Sequence, residues 1–569
     1  MPKRLWMVGL SPLLAAAACS SERELAPLLP PCTAASGGQV SLTTVAAYTA
    51  FDLVQTSGCV TFPANASGTT LQYLLVPQSA SGTPNTSQAF NLVGNPLATA
   101  LVAPPAPSAR GLPSVAQQYD LQLRRIEQEF ATRVPRPPRA PPRVAAAATP
   151  VDSGRVSTFR VCKVLTCDPR KASNLTKVTA TALKVGQHIA IFVDNAAPPG
   201  LAKADLDTLG TLFDMRLYEL DTLAFGAESD IDNNGMVIVL MTGQVNALVN
   251  DSTCSSPTGG YVAGYFFGAD LITTPPFATG NDGEIFYSIV PDPTGTLSCA
   301  HSVADVRQNV PVTFVHEFQH MISFNQHFLV RDAFPEDLWL NEGLSHYAEE
   351  LGGRSFLPDT ATFCRYVVGD LYNSSQYFAA PESYFLVDTA GIGGLANRGA
   401  YWLFVRFLID QFAADTSRAA QNAFTRTLEA TTRTGADNVS AATSTSFASV
   451  LGHWALANYV SDLPAFSPAP DSLRYVSWLF RTAYPRFHAV CSPRIPAQFP
   501  LTPAVVTGSA LSASGTLRAG SGAYYVAQQD PGAGAFTAQV NGFGRLLFAR
   551  YQSLLGAGLV PRLNVIRLQ

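Results

Sequence analysis

Residues 312–324 carry seven large apolar side chains at helical spacing, Val312, Phe314, Val315, Phe318, Met321, Ile322 and Phe324, with His316, Glu317 and His320 set among them. A helix so apolar on most of its circumference must be buried, and the three titratable groups go into the interior with it. Each then needs a partner there. Histidines four residues apart stand one turn apart on one face, about 5–6 Å between Cβ atoms. Two neutral imidazole nitrogens so placed converge on one tetrahedral ion, with Glu317 beside the open position. Pro311 is expected in the first helical turn, where its missing N–H costs nothing.

The fold must also bring a third ligand to that face. A His three residues after a glycine at 323 is not available, because Ser323 and Gln326 stand there and His327 falls one residue late. Residues 339–345, with Asn341-Glu342-Gly343, read instead as a second short helix that delivers the Glu342 carboxylate. Two imidazoles and one carboxylate leave a fourth place for water, the donor set of a catalytic zinc ion. Glu317 is then the base that takes the water proton. Candidates for a second donor to a developing oxyanion are His346, Tyr347 and Tyr401. His346 lies four residues after Glu342 and either lines the site or packs beneath it, and Tyr401 opens a helix whose aromatic residues suit a core. His188, His301, His453 and His488 lack such a setting and are expected as packed or surface residues.

The runs H-E-F-Q-H-M-I at 316–322 and W-L-N-E-G-L-S-H-Y-A-E-E at 339–350 together resemble the gluzincin class of metallopeptidases, and within it the hyicolysin family of secreted bacterial metalloendopeptidases. The resemblance extends from 156 to about 464, taking in the 230–235 turn and the segment 260–266. It implies a zincin fold, one Zn2+ and peptide-bond hydrolysis, with His316, His320 and Glu342 as ligands and Glu317 as base. In related gluzincins the place of His346 holds an acidic residue that orients a zinc-binding histidine. The departure here leaves that role to Glu349 or Glu350.

Organisation around this centre follows from composition and punctuation. A chain of 569 residues with 47% hydrophobic and 14% charged side chains is folded and long enough for two or three domains. Lys3 and Arg4 precede an apolar run that ends Ala16-Ala17-Ala18-Cys19, as in a lipoprotein-type signal peptide over 1–19 with lipid on Cys19. The expected site of action is the bacterial cell envelope, anchored through that lipid, or the medium outside. The other eight cysteines suit an oxidising compartment, and nearest-neighbour pairing joins Cys32 with Cys59, Cys162 with Cys167, Cys254 with Cys299 and Cys364 with Cys491.

The fold class expected is α+β, with a zincin-like catalytic domain over 156–485. Short alternating runs predict a β-sandwich-like domain over 20–110 and a second β domain over 486–569. A helix and Pro/Arg-rich linker fills 111–155, in which the arginines from 124 to 143 read as solvated. Helices are expected over 114–134, 203–223, 397–412 and 446–461. Asp230, Asp232 and Asn234, before Gly235, have the alternation of a calcium loop, but Met241 occupies the twelfth position, where a bidentate carboxylate belongs.

A net charge of −4, with no basic patch interleaved with aromatic residues, excludes a nucleic-acid partner. Protein or peptide substrates are the expected partners. The competing readings are a surface binding or adhesion protein on a retired catalytic scaffold, and a zinc hydrolase of non-peptide substrates. The intact Glu317 speaks against the first.

Overall fold

The computed structural model describes residues 37–94, 113–133, 151–256, 259–273, 280–389, 394–464, 466, 469–541 and 560–569. The signal segment with Cys19, Cys32 and the proline-rich part of the linker lie outside the described residues.

The chain opens with five strands, β1 (Gly38–Gln39), β2 (Tyr48–Asp52), β3 (Cys59–Phe62), β4 (Leu71–Ser79) and β5 (Ser87–Gly94), followed by helix α1 (Val115–Arg133). Three strands come next, β6 (Val156–Cys162), β7 (Leu175–Val185) and β8 (Ile189–Asp194). Helices α2 (Lys203–Leu212) and α3 (Tyr218–Phe225), joined by a π-helical turn, lead to β9 (Val237–Met241). Short helices α4 (Gly243–Asn246) and α5 (Asp251–Cys254) precede β10 (Gly264–Phe266) and β11 (Ile285–Ser288). The helical half comprises α6 (Val303–Phe324), α7 (Leu338–Arg354), α8 (Thr360–Ala379), α9 (Leu395–Phe412), α10 (Arg418–Glu429), α11 (Gly435–Thr443), α12 (Phe447–Val460) and α13 (Phe480–Val490). Five strands close the chain: β12 (Ala504–Thr507), β13 (Ser512–Arg518), β14 (Tyr525–Gln529), β15 (Phe536–Asn541) and β16 (Pro561–Arg567). The α+β class is as expected.

The central sheet has the order β10-β11-β9-β8-β7-β6. Strands β8, β9 and β11 run parallel, while β10, β7 and β6 are antiparallel to their neighbours. β9 and β11 are buried along their whole length and β8 over its first four residues, which is why they read as unbroken apolar runs. α6 packs against this sheet through Phe314, whose ring meets Phe286 of β11 and Phe213 of the π turn.

The two terminal β regions do not form separate domains. Their strands interleave in two five-stranded sheets, β1-β3-β15-β5-β13 and β12-β14-β4-β16-β2, so that β15 lies between β3 and β5, and β16 between β4 and β2. The period-two alternation of β4 explains how one sheet serves two cores. Leu71, Tyr73 and Leu75 point into the core shared by the two sheets, and Leu74 and Val76 into the core of the helical half. The catalytic boundary expected at 485 falls inside α13, which runs through Pro485.

Three local expectations change. α6 starts two turns before Pro311, because Ser302 and Asp305 cap it reciprocally, so Pro311 sits inside the helix and forgoes one backbone bond. α7 is seventeen residues long, not a short helix. Arg124, read as part of a solvated stretch, is buried with Glu127, because Tyr119, Leu123, Ile126 and Phe130 seat α1 in the main core. Cys162–Cys167, Cys254–Cys299 and Cys364–Cys491 are disulfides, a pattern that fits export. No helix among the described residues is long and apolar enough to cross a membrane.

Candidate metal centre

α6 presents His316 and His320 on one face, their ring centroids 4.9 Å apart. α7 crosses this face with Glu342 in its second turn. On its other side Gly343 lets α7 approach α9 closely: a Cβ there would meet Val405 Cγ2 at 2.6 Å and the Tyr401 carbonyl oxygen at 2.8 Å. The Glu342 oxygens lie 3.2 Å from His320 Nε2 and 3.7 Å from His316 Nε2. Ligands held at about 2.0–2.1 Å around a tetrahedral zinc ion are about 3.3 Å apart. One ligand atom from each of the three residues lies within 4.8 Å of the others. All three residues are buried, and neither Glu342 oxygen receives an aligned hydrogen bond, although Arg398 Nη1 stands 3.0 Å away. Two nitrogens and a buried carboxylate are a donor set that fits a divalent metal ion, zinc in particular.

The His316 imidazole is held in the tautomer a ligand needs. His316 Nδ1 donates to Glu349 Oε1 at 2.7 Å, which turns the Nε2 lone pair toward Glu342. Ser345 gives its hydroxyl proton to Gln319, and its oxygen lies 3.2 Å from His320 Nδ1 and 3.3 Å from His320 Nε2. Burial first, then the charge of Arg124, pushes His320 down to about 3, so its ring is neutral. Despite burial, Arg398 and the two imidazoles hold Glu342 well below the carboxylate range. Against the same burial cost, His346 and the His316 bond bring Glu349 down to about 2. Glu349 and Asp370, 3.1 and 3.0 Å from His346 Nδ1, take that histidine up to about 10. His346 is therefore a charged support beneath Glu349.

Glu317 accepts from the Phe266 backbone N–H at 2.9 Å, which fixes it against the edge strand β10. Burial pushes its carboxyl up to about 7, within reach of proton exchange at neutral pH. A cavity of about 290 Å³ opens beside His316 and Glu317, walled by Asp120 of α1, Tyr265 of β10 and Arg398 of α9. A larger cavity of about 830 Å³ adjoins it and shares Gln117 and Tyr261.

Helix α1 covers one side of this centre. Arg124 donates to the Phe266 carbonyl at 2.6 Å and stands 3.9 Å from Glu317, while Asp120 pairs with Arg398 at 2.6 Å. Nothing in the local sequence of α1 or α9 announces these contacts. Arg398 lies 56 positions beyond Glu342, and only the apolar stripe of α1 signalled that the helix is buried.

The remaining candidates stand elsewhere. The Tyr347 hydroxyl donates to Gln421, and its ring lies under the Arg406 guanidinium. The Tyr401 hydroxyl donates to Asp388 at 2.5 Å. Glu350 serves Trp402, Trp478 and Arg354, so Glu349 alone of the pair meets His316. His327 is enclosed with Glu336 and Glu429, away from the metal face. His188 stacks on Tyr218, His453 meets Tyr48 edge to face, His301 packs against Tyr261, and His488 bonds the Ile495 carbonyl.

No protein-family model matches the chain. Over 268 residues it is 28% identical to the neutral metalloprotease ShpI of Staphylococcus hyicus, an alignment covering 44% of this chain and 55% of that protein. The chain thus spans about half the length of this relative.

Proposed function

We propose that the chain is an exported zinc metalloendopeptidase of the gluzincin type, similar to the hyicolysin family, that hydrolyses peptide bonds of proteins in the cell envelope or outside it. The convergence of His316, His320 and Glu342, with Glu317 beside them, carries the reading. The partial likeness to a metalloprotease and the three disulfides support it. The lipid anchor on Cys19 belongs to the same reading.

A zinc ion held by the three side chains supplies Lewis acidity, polarising a peptide carbonyl and making water acidic near neutrality. Glu317 takes the proton of the attacking water and later returns it to the leaving amine. The Phe266 N–H holds that carboxylate beside the cavity, and Glu349 keeps the His316 ring turned toward Glu342. Arg398 lines the cavity wall beside Glu342 and offers a cation to a developing oxyanion. Among the described residues β10 is one edge of the central sheet, a place where an extended peptide could pair. Phe266 has both outward groups taken, its N–H by Glu317 and its carbonyl by Arg124 of α1, so a substrate strand pairs with β10 beside Phe266.

The purified full chain, supplied with zinc, is expected to degrade casein, to stop on chelation and to resume when zinc returns. Glu317→Gln should retain the metal and lose at least about 100-fold in rate. Undiminished turnover by that variant would remove the reading. Activity confined to non-peptide esters would shift it to the other class of zinc hydrolase.

A further inference from the structure

A second cluster of oxygen donors lies at the entry to the central sheet, where the 230–235 turn leads into β9 and Glu284 leads into β11. Asp230, Asp232 and Glu284 each offer a carboxylate oxygen within 4.8 Å of the other two. Six to eight oxygens about 2.4 Å from a calcium ion put opposite ligands about 4.8 Å apart. The two aspartates face solvent, while Glu284 is only 1% exposed. Its Oε1 accepts from Ser229 Oγ and the Ile231 N–H, and its Oε2 is buried with no partner. A buried carboxylate oxygen left without a donor, next to two further carboxylates, is costly unless a cation joins it. Burial, with Asp232 beside it, pushes Glu284 up to about 7, and burial and Asp230 raise Asp232.

We propose that Asp230, Asp232 and Glu284 form a calcium site, separate from the His316–His320–Glu342 centre, that clamps the entry of β9 to the entry of β11. Glu284 takes the place of the carboxylate that the turn's own twelfth position, Met241, does not supply. Asn234, the third residue of the expected loop, stands beside these carboxylates. Its Oδ1 accepts from the Met236 N–H and its Nδ2 donates to Asp232, so it braces the turn and one of the cluster's carboxylates. All-oxygen donors select a hard cation over zinc, and a solvent-facing turn tolerates the irregular coordination of calcium better than the octahedron magnesium demands. The clamp has a route to the other centre. The Glu284 carbonyl accepts from the Ile238 N–H, β11 pairs with β10, and the Phe266 N–H of β10 holds Glu317.

The test uses the full chain carrying Glu317→Gln, to prevent self-cleavage, loaded with one equivalent of zinc. Calorimetric titration with calcium chloride is expected to show one site per chain and a calcium-dependent rise in Tm, with zinc content unchanged. Glu284→Gln and Asp232→Asn should each weaken calcium at least tenfold and leave zinc bound. Asp232 faces solvent, so its variant reports on the site even if Glu284→Gln does not fold. No calcium heat and no Tm change up to about 10 mM, beyond the weak end of known calcium sites, would overturn the proposal. So would unaltered calcium affinity in Asp232→Asn. Neither result bears on peptide hydrolysis, which is absent from this background.

Discussion

Replacing Glu349 with glutamine isolates the most specific feature of the metal centre, the carboxylate that fixes the His316 ring. The 2.7 Å bond from His316 Nδ1 to Glu349 Oε1 commits the proton to Nδ1 and the lone pair to Nε2. Glutamine keeps the size and one acceptor oxygen but loses the charge, and its NH2 competes for the same place. Loss of such an outer partner weakens metal binding 10–100-fold, about 1.4–2.7 kcal/mol. The upper half of that range is expected here, because Glu349 is buried and also faces His346 at 3.1 Å. The assay is competition for zinc against a chromophoric chelator at fixed pH, with far-UV circular dichroism to verify folding. Asp370→Asn, which reaches His316 only through His346 and Glu349, should weaken zinc less. Zinc held by Glu349→Gln as tightly as by the parent would refute the tautomer argument.

Three further outcomes follow from the same coordinates. Because Glu317 is raised to about 7 and must be ionised to act, kcat/KM should fall as pH drops below a limb at or under 7, the metal's charge drawing it lower. A rate flat from pH 4 to 8 would exclude Glu317 as the base. Asp221 is fully buried, both of its oxygens lack a partner, and burial alone raises its pKa well above 3.8. A raised folded pKa costs nothing below the unfolded value and removes stability as pH rises above it. Asp221→Asn should therefore exceed the parent in Tm by more at pH 7 than at pH 4, and a difference independent of pH would contradict the assignment. Finally, one proteolytic cut between α1 and β6 should leave both fragments eluting together under native conditions, because β15 and β16 each lie between two N-terminal strands. Separation without denaturant would show that the shared sheets do not hold the pieces.

The metal face was legible because its information is local. Spacing of four on an apolar helix fixes the two imidazoles, and the Asn341-Glu342-Gly343 run marks the helix that meets them. Helical phase alone did not separate Glu349 from Glu350, for 350 stands one turn beyond 346 just as 346 stands one turn beyond 342; the tertiary partners decide, Glu349 meeting His316 and Glu350 meeting Trp402, Trp478 and Arg354. Arg398, Asp120 and Arg124 were not legible as site residues. Charges three and four apart, such as Asp120, Arg124 and Glu127, have the same spacing on a solvated helix as on a buried one. The apolar spacing of Tyr119, Leu123, Ile126 and Phe130 held the overlooked signal. The interleaved sandwich lay further out of reach. Alternation along β15 or β16 tells which face is buried, not that the partner strand stands more than four hundred residues away. A separation of 53 residues from Ile231 likewise hid Glu284 from the 230–235 turn it meets.

The central claim is that two imidazoles of α6 and one carboxylate of α7 hold a single zinc ion. Anomalous diffraction at the zinc edge, on crystals of the zinc-loaded full chain, tests it most directly. One peak within about 2.0–2.2 Å of His316 Nε2, His320 Nε2 and a Glu342 oxygen is the predicted result. A peak instead among His316, His346 and Glu349, whose ligand atoms also cluster within 4.8 Å, or no zinc peak at all, would contradict it.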